Sequence, residues 1–203
     1  MNADARPRRS YPKGEQRKTE IVDRALDVFA DRGYQNTSMV EIASACGVSR
    51  AGLLHHFPTK ESLLSAVLDE KEKRDYAAYF AENDRDPRET LRQFVLLVEH
   101  NTTRPGLVRL FAALSVDASD ADHPAHAYFT TRYRTLRRRL TGTFEALAKS
   151  GTALTDAPEV LAAELIALVD GLQIQWLLDP TSVDIAERLT ARLETVFGGI
   201  FRR

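Results

Sequence analysis

Residues 37–63 contain serine, glutamate and glycine at the spacing of two short helices joined by a turn. Ser38 and Glu41 are three positions apart, as in a capping box at the start of a helix. Gly47 then supplies a turn, and Ser49 can cap a second helix. Two short helices joined at a glycine form a helix-turn-helix, whose second helix fits the DNA major groove. The chemistry that this segment indicates first is therefore recognition of double-stranded DNA.

A hydrophobic face on each helix would position this segment. The helix before it has apolar side chains on one face and ends at Gly33. In the helix after Gly47, we expect Leu53 and Phe57 to point into the core. Pro58 ends this helix. The residues that we expect to be buried in the first two helices are Val22, Ala25, Leu26, Phe29, Val40, Ile42, Ala43 and Cys46. This pattern predicts a three-helix N-terminal domain.

Basic residues are concentrated in the N-terminal part of the chain. The whole chain has 203 residues and a formal net charge of −1. Residues 1–60 contain ten Lys and Arg against seven Asp and Glu, whereas the remainder contains eighteen against twenty-two. A phosphate backbone would attract this excess, although a solvated basic tail explains it equally well. The basic residues concerned are Arg6, Arg8, Arg9, Lys13, Arg17 and Lys18.

The composition excludes several classes of protein. A single cysteine, Cys46, rules out an internal disulfide, and its place on an apolar helix face indicates a small core residue. The hydrophobic fraction of 43% is enough for a core, yet we find no apolar run of the length that spans a bilayer. The basic N-terminus lacks the apolar stretch of a signal peptide. We therefore expect a cytoplasmic protein.

Further helices fill the rest of the chain, and we predict an all-α fold of about nine helices. A fourth helix runs from Thr59 to about Asn83 and includes the charged run Asp69–Asp75, which we interpret as a solvated face. Prolines separate five more helices, over roughly 87–102, 105–118, 125–150, 157–178 and 182–202. The expected organisation is a disordered basic arm over 1–15, a helix-turn-helix domain over 16–62 and a second helical domain over 63–203.

The last two predicted helices have more apolar surface than one packing face requires. Glycines occur inside the 157–178 helix and near the end of the last helix, where each costs about 1 kcal/mol relative to alanine. Close packing in a two-fold, four-helix interface would explain both features. A deeply buried helix in a monomer is the alternative. The residues that we expect at such an interface are Leu168, Gly171, Leu172, Leu193, Phe197, Ile200 and Phe201.

The strongest likeness to a known family lies in residues 37–64, which read TSMVEIASACGVSRAGLLHHFPTKESLL. This run closely resembles the DNA-binding signature of the TetR family of bacterial transcriptional regulators. The preceding run ALDVFADRGYQNTS is similar as well, so that the specific resemblance covers about residues 17–65. The remainder resembles the family only in architecture, an all-helical effector domain whose last two helices dimerise. The resemblance implies a bacterial regulator, most often a repressor, that binds a palindromic operator as a homodimer and is not an enzyme.

The resemblance also implies roles for individual residues in DNA binding. The implied contacts are Thr37 and Ser38 to phosphate, Ser49, Arg50, Ala51 and Gly52 at base edges, and His55, His56 and Lys60 to the DNA backbone. Arg50 is the best candidate for two hydrogen bonds to one guanine. Many relatives carry tyrosine where this chain has Leu54, so an apolar contact should replace the hydrogen bond to phosphate at that position.

The resemblance further implies a pocket for a small organic effector in the second domain, and no other cofactor. The residue types there suit an apolar cavity with a few polar points. The pocket candidates are Phe94, His100, Asn101, Phe111, Leu114, Tyr128, Phe129, Tyr133, Gln173 and Trp176. Effector binding would favour a conformer whose two reading helices are wrongly spaced for DNA. The fourth helix, which joins both domains, would transmit the change.

Other classes of function fit some of the residues. An enzyme is one of them, but the chain has no GxSxG segment, phosphate-binding loop or dinucleotide glycine pattern. A metal site around His123 and His126, near Asp120 and Asp122, is another. These residues stand at a helix start, where capping aspartates and exposed histidines are common. A helical scaffold that carries the motif by chance would not retard specific DNA at about 150–200 mM salt.

Overall fold

The structure, a computed structural model of the chain, describes residues 11–81, 86–152 and 156–198. Over those ranges the chain forms nine α-helices and no β-strand, which confirms the predicted all-α fold. The helices are α1 (Tyr11–Arg32), α2 (Met39–Ala45), α3 (Arg50–His56), α4 (Lys60–Tyr79), α5 (Pro87–Thr102), α6 (Pro105–Asp117), α7 (His126–Lys149), α8 (Pro158–Leu178) and α9 (Ile185–Phe197).

Local signals explain most of the helix ends. Pro87, Pro105 and Pro158 begin α5, α6 and α8, where the missing N–H of proline has no helical partner to lose. Gly33 follows α1 with a φ of +81°, a left-handed conformation that favours glycine. The Asp184 side chain accepts a hydrogen bond from the backbone N–H of Glu187 and caps α9.

Three helix ends differ from the sequence prediction. α1 begins at Tyr11, so residues 11–15 form its first turn rather than part of a disordered arm. α4 ends at Tyr79, before the expected end near Asn83. α9 begins at Ile185 rather than near residue 182, and residues 1–10 and 199–203 lie outside the described part of the chain.

The chain divides into two compact units, Met1–Val67 and Leu68–Arg203, and the division falls within α4. The core of the first unit contains Phe29, Ile42 and Leu53, each with no exposed surface. Full burial of a side chain of this size contributes roughly 1.5–3 kcal/mol to stability relative to leaving it exposed. The hydrophobic faces of α1, α2 and α3 therefore hold the helix-turn-helix in place.

The core of the second unit is a larger hydrophobic cluster contributed mainly by α5, α7, α8 and α9. Leu91, Phe144 and Leu189 are among its fully buried members. Phe144 and Phe197 stack with ring centroids 4.9 Å apart and planes 31° apart. These contacts supply the rigid frame on which the polar groups of this unit are arranged.

By length and composition alone, α8 could cross a membrane. This corrects our expectation that the chain has no apolar run of that length. One third of the qualifying stretch, 33%, is buried inside the protein. Leu165 and Val169 pack into the hydrophobic core of the second unit, and Asp170 in the same helix accepts a hydrogen bond from Tyr133. These contacts indicate a core helix of a helical domain.

Candidate nucleic-acid interface and ligand cavity

Side-chain caps hold the starts of α2 and α3. The Ser38 hydroxyl accepts from the backbone N–H of Glu41 at 3.3 Å, and the Glu41 carboxylate accepts from the backbone N–H of Ser38 at 2.8 Å. The predicted capping box is thus confirmed. The Ser49 hydroxyl accepts from the backbone N–H of Gly52 at 3.0 Å and caps α3, as predicted. Both hydroxyls fix the helix-turn-helix geometry.

Arginines from α1 brace the turn between α2 and α3. Gly47 has a φ of +63°, as the predicted glycine turn requires. The Arg17 guanidinium donates to the carbonyls of Cys46 at 3.0 Å and Gly47 at 3.4 Å. Arg24 Nε donates to the carbonyl of Ala45 at 3.3 Å. The sequence analysis counted Arg17 among the excess basic residues that a phosphate backbone would attract. In the structure, Arg17 stabilises the turn.

One face of α3 is exposed while the opposite face is buried. Leu53 and Phe57 are 0% and 3% exposed, so they point inward as predicted. Arg50, Ala51 and His55 are exposed, whereas Gly52, Leu54 and His56 are partly so. The Arg50 guanidinium forms no hydrogen bond or ion pair with any residue in the described part of the chain. Its donors are thus available to a ligand outside the protein.

Gly52 lies close to the hydroxyl that caps α3. A Cβ atom built at this position would lie 3.3 Å from the Ser49 hydroxyl oxygen, tighter than an ordinary contact. That oxygen caps the helix, so a side chain here would press on the cap. Gly52 therefore keeps the first turn of α3 narrow and intact.

Thr37 and Lys60 serve the loop between α1 and α2. Thr37 is 3% exposed, and its hydroxyl donates to the carbonyl of Gly33 at 2.8 Å. The Lys60 ammonium donates to the carbonyls of Tyr34 at 3.0 Å and Thr37 at 3.1 Å, and it lies 4.2 Å from the centroid of the Tyr34 ring. The Thr37 side chain is therefore closed to phosphate, which corrects the role implied for it.

The α2 surface contains a residue that the sequence analysis placed wrongly. Val40 was expected on the buried side, but it is 57% exposed. It stands in the first turn of α2, next to Glu41 of the capping box. Val40 and Ile42 are two positions apart, so they do not share a helix face, and this spacing was the signal available in the sequence.

The environment shifts the pKa of several groups in the first unit. Hydrogen bonds from the Ser38 backbone and hydroxyl hold the pKa of Glu41 below its usual value, with Arg32 contributing further. Burial raises the pKa of Tyr34 to about 12, and the nearby Glu61 carboxylate adds to the shift. Burial also raises the pKa of the Cys46 thiol, although this residue, expected to be a small core residue, is only partly buried.

The second unit encloses a cavity of about 130 Å³ among α4, α5, α6, α7 and α8. A cavity of about 150 Å³ holds a benzene-sized molecule in another protein. The predicted pocket residues that line it are Phe94, Asn101, Phe111, Phe129, Tyr133 and Gln173. Aromatic rings dominate this set, so the cavity has an apolar wall with a few polar points.

Four of the predicted pocket residues lie elsewhere. His100 is exposed, with its ring centroid 6.1 Å from that of Tyr79. Leu114 is 1% exposed and belongs to the core rather than to the cavity wall. Tyr128 donates to Glu72 at 3.4 Å. Trp176 packs against the hydrophobic core of the second unit.

Charged residues of the cavity wall were missed by the sequence analysis. Lys71 and Asp75 line the cavity and form an ion pair, with side chains only 11% and 14% exposed. The charged run that includes them was expected to be solvated, so this expectation is wrong for these two residues. Their spacing of four, one helical turn, was the available signal, because it places both side chains on one helix face.

Two further charged residues line the cavity, one on α7 and one on α8. Arg132 forms an ion pair with Glu72, and its guanidinium lies 5.5 Å from the centroid of the Phe111 ring. Asp170 accepts a hydrogen bond of 2.9 Å from the Tyr133 hydroxyl. Burial raises the pKa of Asp170, although Tyr133 and Arg132 oppose the shift. Burial and the Asp170 carboxylate together raise the pKa of Tyr133 to about 12.

Several residues chosen for a dimer interface lie in the core of the second unit. Leu172, Leu193 and Phe197 are 8%, 1% and 5% exposed, so they present little surface to a second copy. Leu168 and Gly171 are partly exposed. Ile200 and Phe201 lie outside the described residues. The apolar side chains that α8 does expose, and that the sequence analysis missed, are Val160, Ile174 and Leu178, at 45%, 50% and 83%.

The histidines considered for a metal site are engaged with the backbone. His126 Nδ1 lies 2.8 Å from the carbonyl oxygen of Ala118, and His123 Nδ1 accepts from the backbone N–H of Ala125 at 3.2 Å. Within the described ranges, no group of three or more His, Cys, Asp or Glu could hold a metal ion. These histidines shape the turn before α7.

Two family-level matches together span most of the chain. Residues 21–67 match bacterial regulatory proteins of the tetR family. Residues 87–200 match the C-terminal domain described as the BetI-type transcriptional repressor. The second match alone covers more than half of the chain.

Individual relatives agree over nearly the full length. The transcriptional repressor KstR2 of Rhodococcus jostii is 25% identical over 190 residues, which are 91% of each chain. The transcriptional regulator TtgR of Pseudomonas putida is 27% identical over 192 residues, 88% of each chain. The crystal structure of a transcriptional regulator from Saccharomonospora viridis in complex with choline has a TM-score of 0.76 and 27% identity, covering 89% of this chain and 96% of that one.

Proposed function

The chain belongs to the TetR family of bacterial regulatory proteins, and from this premise we propose that it is a repressor that a small organic effector releases from its DNA operator. We assign residues 16–62 to DNA binding and residues 63–203 to effector binding and dimerisation. The family is one of regulators, and we assign the chain no catalytic step. Its place of action is the bacterial cytoplasm.

The exposed face of α3 carries this proposal. Arg50 projects from the first turn of a helix that is capped by Ser49 and anchored by Leu53. A guanidinium that has no partner among the described residues suits two hydrogen bonds to a guanine edge. Ala51 is small and exposed, which allows close approach to a base or a thymine methyl group. We therefore assign base recognition to the start of α3.

The remaining DNA contacts are positioning contacts in this proposal. Ser38, at the N-terminus of α2, and His55 and His56, at the end of α3, would bind phosphates and set the depth of α3 in the groove. Leu54 would make an apolar contact. Lys60 keeps one of its three N–H donors after its two bonds to loop carbonyls, so it would bind phosphate while bracing the loop.

Two-fold pairing would present two copies of α3 to one face of a duplex. The exposed side of α8 carries small residues next to Leu168, namely Ala163, Ala167 and Gly171. Small side chains let helices of two subunits approach closely, and the exposed Ile174 and Leu178 add apolar area. A symmetric dimer matches an operator of two inverted half-sites.

The cavity of the second unit would hold the effector. A relative of known structure binds choline, which is of the size that this cavity accepts. The effector must bind the conformer that cannot engage the operator more tightly than the one that can. Moving the population from mostly competent to mostly incompetent takes about 5 kcal/mol of differential affinity.

Selection of bound duplexes from random DNA, followed by gel retardation in about 150–200 mM KCl, tests the DNA-binding part. We expect one enriched inverted sequence, and retardation that Arg50→Ala weakens on that sequence more than on random DNA. A screen of small molecules on the retarded complex then tests release. Equal retardation of all duplexes, or a complex that no effector dissociates, would contradict the respective part of the proposal.

A further inference from the structure

We propose that the cavity of the second unit is selective for small protonated amines. The ammonium group of the ligand would face Asp170, and its apolar body would lie against the aromatic wall. This inference rests on the proposed effector cavity and specifies the chemical class of its ligand.

The cations of the cavity wall already have carboxylate partners. Lys71 is paired with Asp75, and Arg132 is paired with Glu72. The Arg132 guanidinium also lies over the face of the Phe111 ring, 5.5 Å from its centroid. An anionic ligand would therefore have to displace a carboxylate from a close ion pair before it could bind either cation.

Asp170 is the charged residue of the wall that forms no ion pair with the described residues, although the Arg132 charge acts on it from a greater distance. Its carboxylate accepts one hydrogen bond, from the neutral Tyr133 hydroxyl at 2.9 Å. Among the described residues, no lysine, arginine or histidine nitrogen lies within ion-pair distance of it. A partly buried carboxylate with free lone pairs attracts a cation. Burial removes part of the hydration of the carboxylate, and a nearby positive charge offsets that loss.

Asn101 provides a second acceptor in the same wall. Its Oδ1 atom is buried and has no hydrogen-bond partner in the described protein. A buried acceptor of this kind is destabilising unless a donor reaches it. A primary ammonium carries three N–H donors, which suits a cavity whose unsatisfied groups are acceptors.

The rest of the wall suits an apolar body of limited size. The Phe129 ring lies between those of Phe111 and Tyr133, with centroids 6.1 Å and 6.5 Å away. Aromatic faces attract cations as well as apolar groups. The volume of about 130 Å³ is close to that of a cavity that holds benzene in another protein, so the cavity suits a ligand of roughly that size.

Three probes of nearly equal size and different charge test the inference. Benzylamine is a cation at pH 7, benzyl alcohol is neutral and benzoate is an anion. Calorimetric titration of the full-length protein should give the order benzylamine, benzyl alcohol, benzoate. We expect benzylamine to bind about tenfold more tightly than benzyl alcohol, the effect of one charge-assisted hydrogen bond.

A matched pair of variants locates the selectivity. Asp170→Asn keeps the shape of the side chain and should reduce the preference for benzylamine to less than threefold, while the affinity for benzyl alcohol stays within about twofold. Asp117→Asn makes the same chemical change at an exposed position outside the cavity wall and should leave the preference unchanged. The unchanged affinity for benzyl alcohol shows that the Asp170→Asn variant is folded.

Several results would contradict selectivity for amines. Equal affinities for the three probes, tighter binding of benzoate, no benzylamine binding at about 10 mM (roughly tenfold above the upper end of common KM values for small molecules), or full selectivity in Asp170→Asn would each overturn the amine proposal. Retardation of selected DNA is measured with the same preparation. Specific DNA binding without amine selectivity overturns only the ligand class, whereas amine selectivity without specific DNA binding overturns the regulator.

Discussion

The two units of the chain use their polar groups in different ways. In Met1–Val67, polar side chains bind backbone groups at helix ends, and Arg50 lies on an exposed face with no partner among the residues that the structure describes. In Leu68–Arg203, charged side chains from different helices turn inward and meet around a cavity. The first arrangement suits a large polyanion that approaches from outside, and the second suits a small molecule that must leave water to bind.

The difference shows how sequence distance relates to function in this fold. The Ser38–Glu41 and Ser49–Gly52 bonds each join residues three positions apart. By contrast, the bond between Tyr133 and Asp170 joins residues 37 positions apart. A local site keeps its geometry as long as its helices form, whereas a cavity assembled from several helices can change shape when one of them shifts. This second property is what effector control requires.

The largest expected effect is a loss of discrimination between bases when Arg50 of the first unit is replaced. Arg50→Ala should reduce discrimination against the wrong base at one position of each half-site by about 1–3 kcal/mol. Arg50→Lys keeps the charge but loses the two-pronged geometry, so it should retain binding to random DNA and lose the preference. Competition binding with single-base operator variants measures both. If Arg50→Ala weakens all sequences equally, Arg50 contacts only phosphate.

Lys60 tests whether a residue of the first unit can brace the fold and contact DNA at once. Lys60→Ala removes two hydrogen bonds to loop carbonyls, and we expect a loss of about 1–2 kcal/mol in unfolding free energy. Affinity should fall across all sequences, and the slope of log affinity against log salt should decrease in magnitude by about 1. Denaturant titration and salt-dependent anisotropy measure these. An unchanged slope would leave Lys60 with a purely structural role.

The capping box tests the local character of the first unit. Ser38→Ala should destabilise the protein by about 1 kcal/mol, since it removes an N-cap. The same bonds hold the pKa of Glu41 below its usual value of 4.5, so their stabilisation is present above that pH and is lost as pH falls through the lowered value. The difference in melting temperature between wild type and Ser38→Ala should therefore shrink between pH 6 and pH 3. A constant difference would show that Glu41 ionisation does not contribute.

Replacement of Asp170 should change stability least, and it should raise stability where the other substitutions lower it. Burial raises the pKa of its carboxyl, with Tyr133 and Arg132 opposing, so the ionised group costs stability as pH rises through the raised pKa. Asp170→Asn should increase the melting temperature of the ligand-free protein slightly at pH 7. The gain should disappear under acidic conditions. A variant that melts lower at pH 7 would show that the carboxylate stabilises the empty cavity.

Features that depend on residues close together in the sequence were predicted better than features that depend on packing between distant residues. The capping residues Ser38 and Ser49 and the turn at Gly47 were predicted and confirmed, because each depends on neighbours within a few positions. The all-α fold and the approximate helix ranges followed from apolar periodicity and proline positions. Features that depend on burial were harder to predict. Thr37 was assigned to the surface although its hydroxyl is used inside the loop.

The cavity was only partly predictable. Residue type pointed to its aromatic wall, since Phe111, Phe129 and Tyr133 are large side chains at helical spacing on α6 and α7. Its charges were missed, because a lysine or aspartate in a charged run is normally solvated. Only the packing of α4, α5, α7 and α8 shows that Lys71 and Asp170 face inward. Except for the Thr37 side chain and residues 11–15, the DNA-contact roles and the domain boundaries remain predictions.

Footprinting on the selected duplex tests the central claim most directly, namely that two copies of α3 read one face of DNA. Wild-type protein should protect two inverted half-sites whose centres are about one helical turn, 10–10.5 bp, or a multiple of it apart. Arg50→Ala should lose both protections together. A single protected half-site, or protection of direct rather than inverted sequences, would contradict a two-fold dimer that presents α3 to successive major grooves.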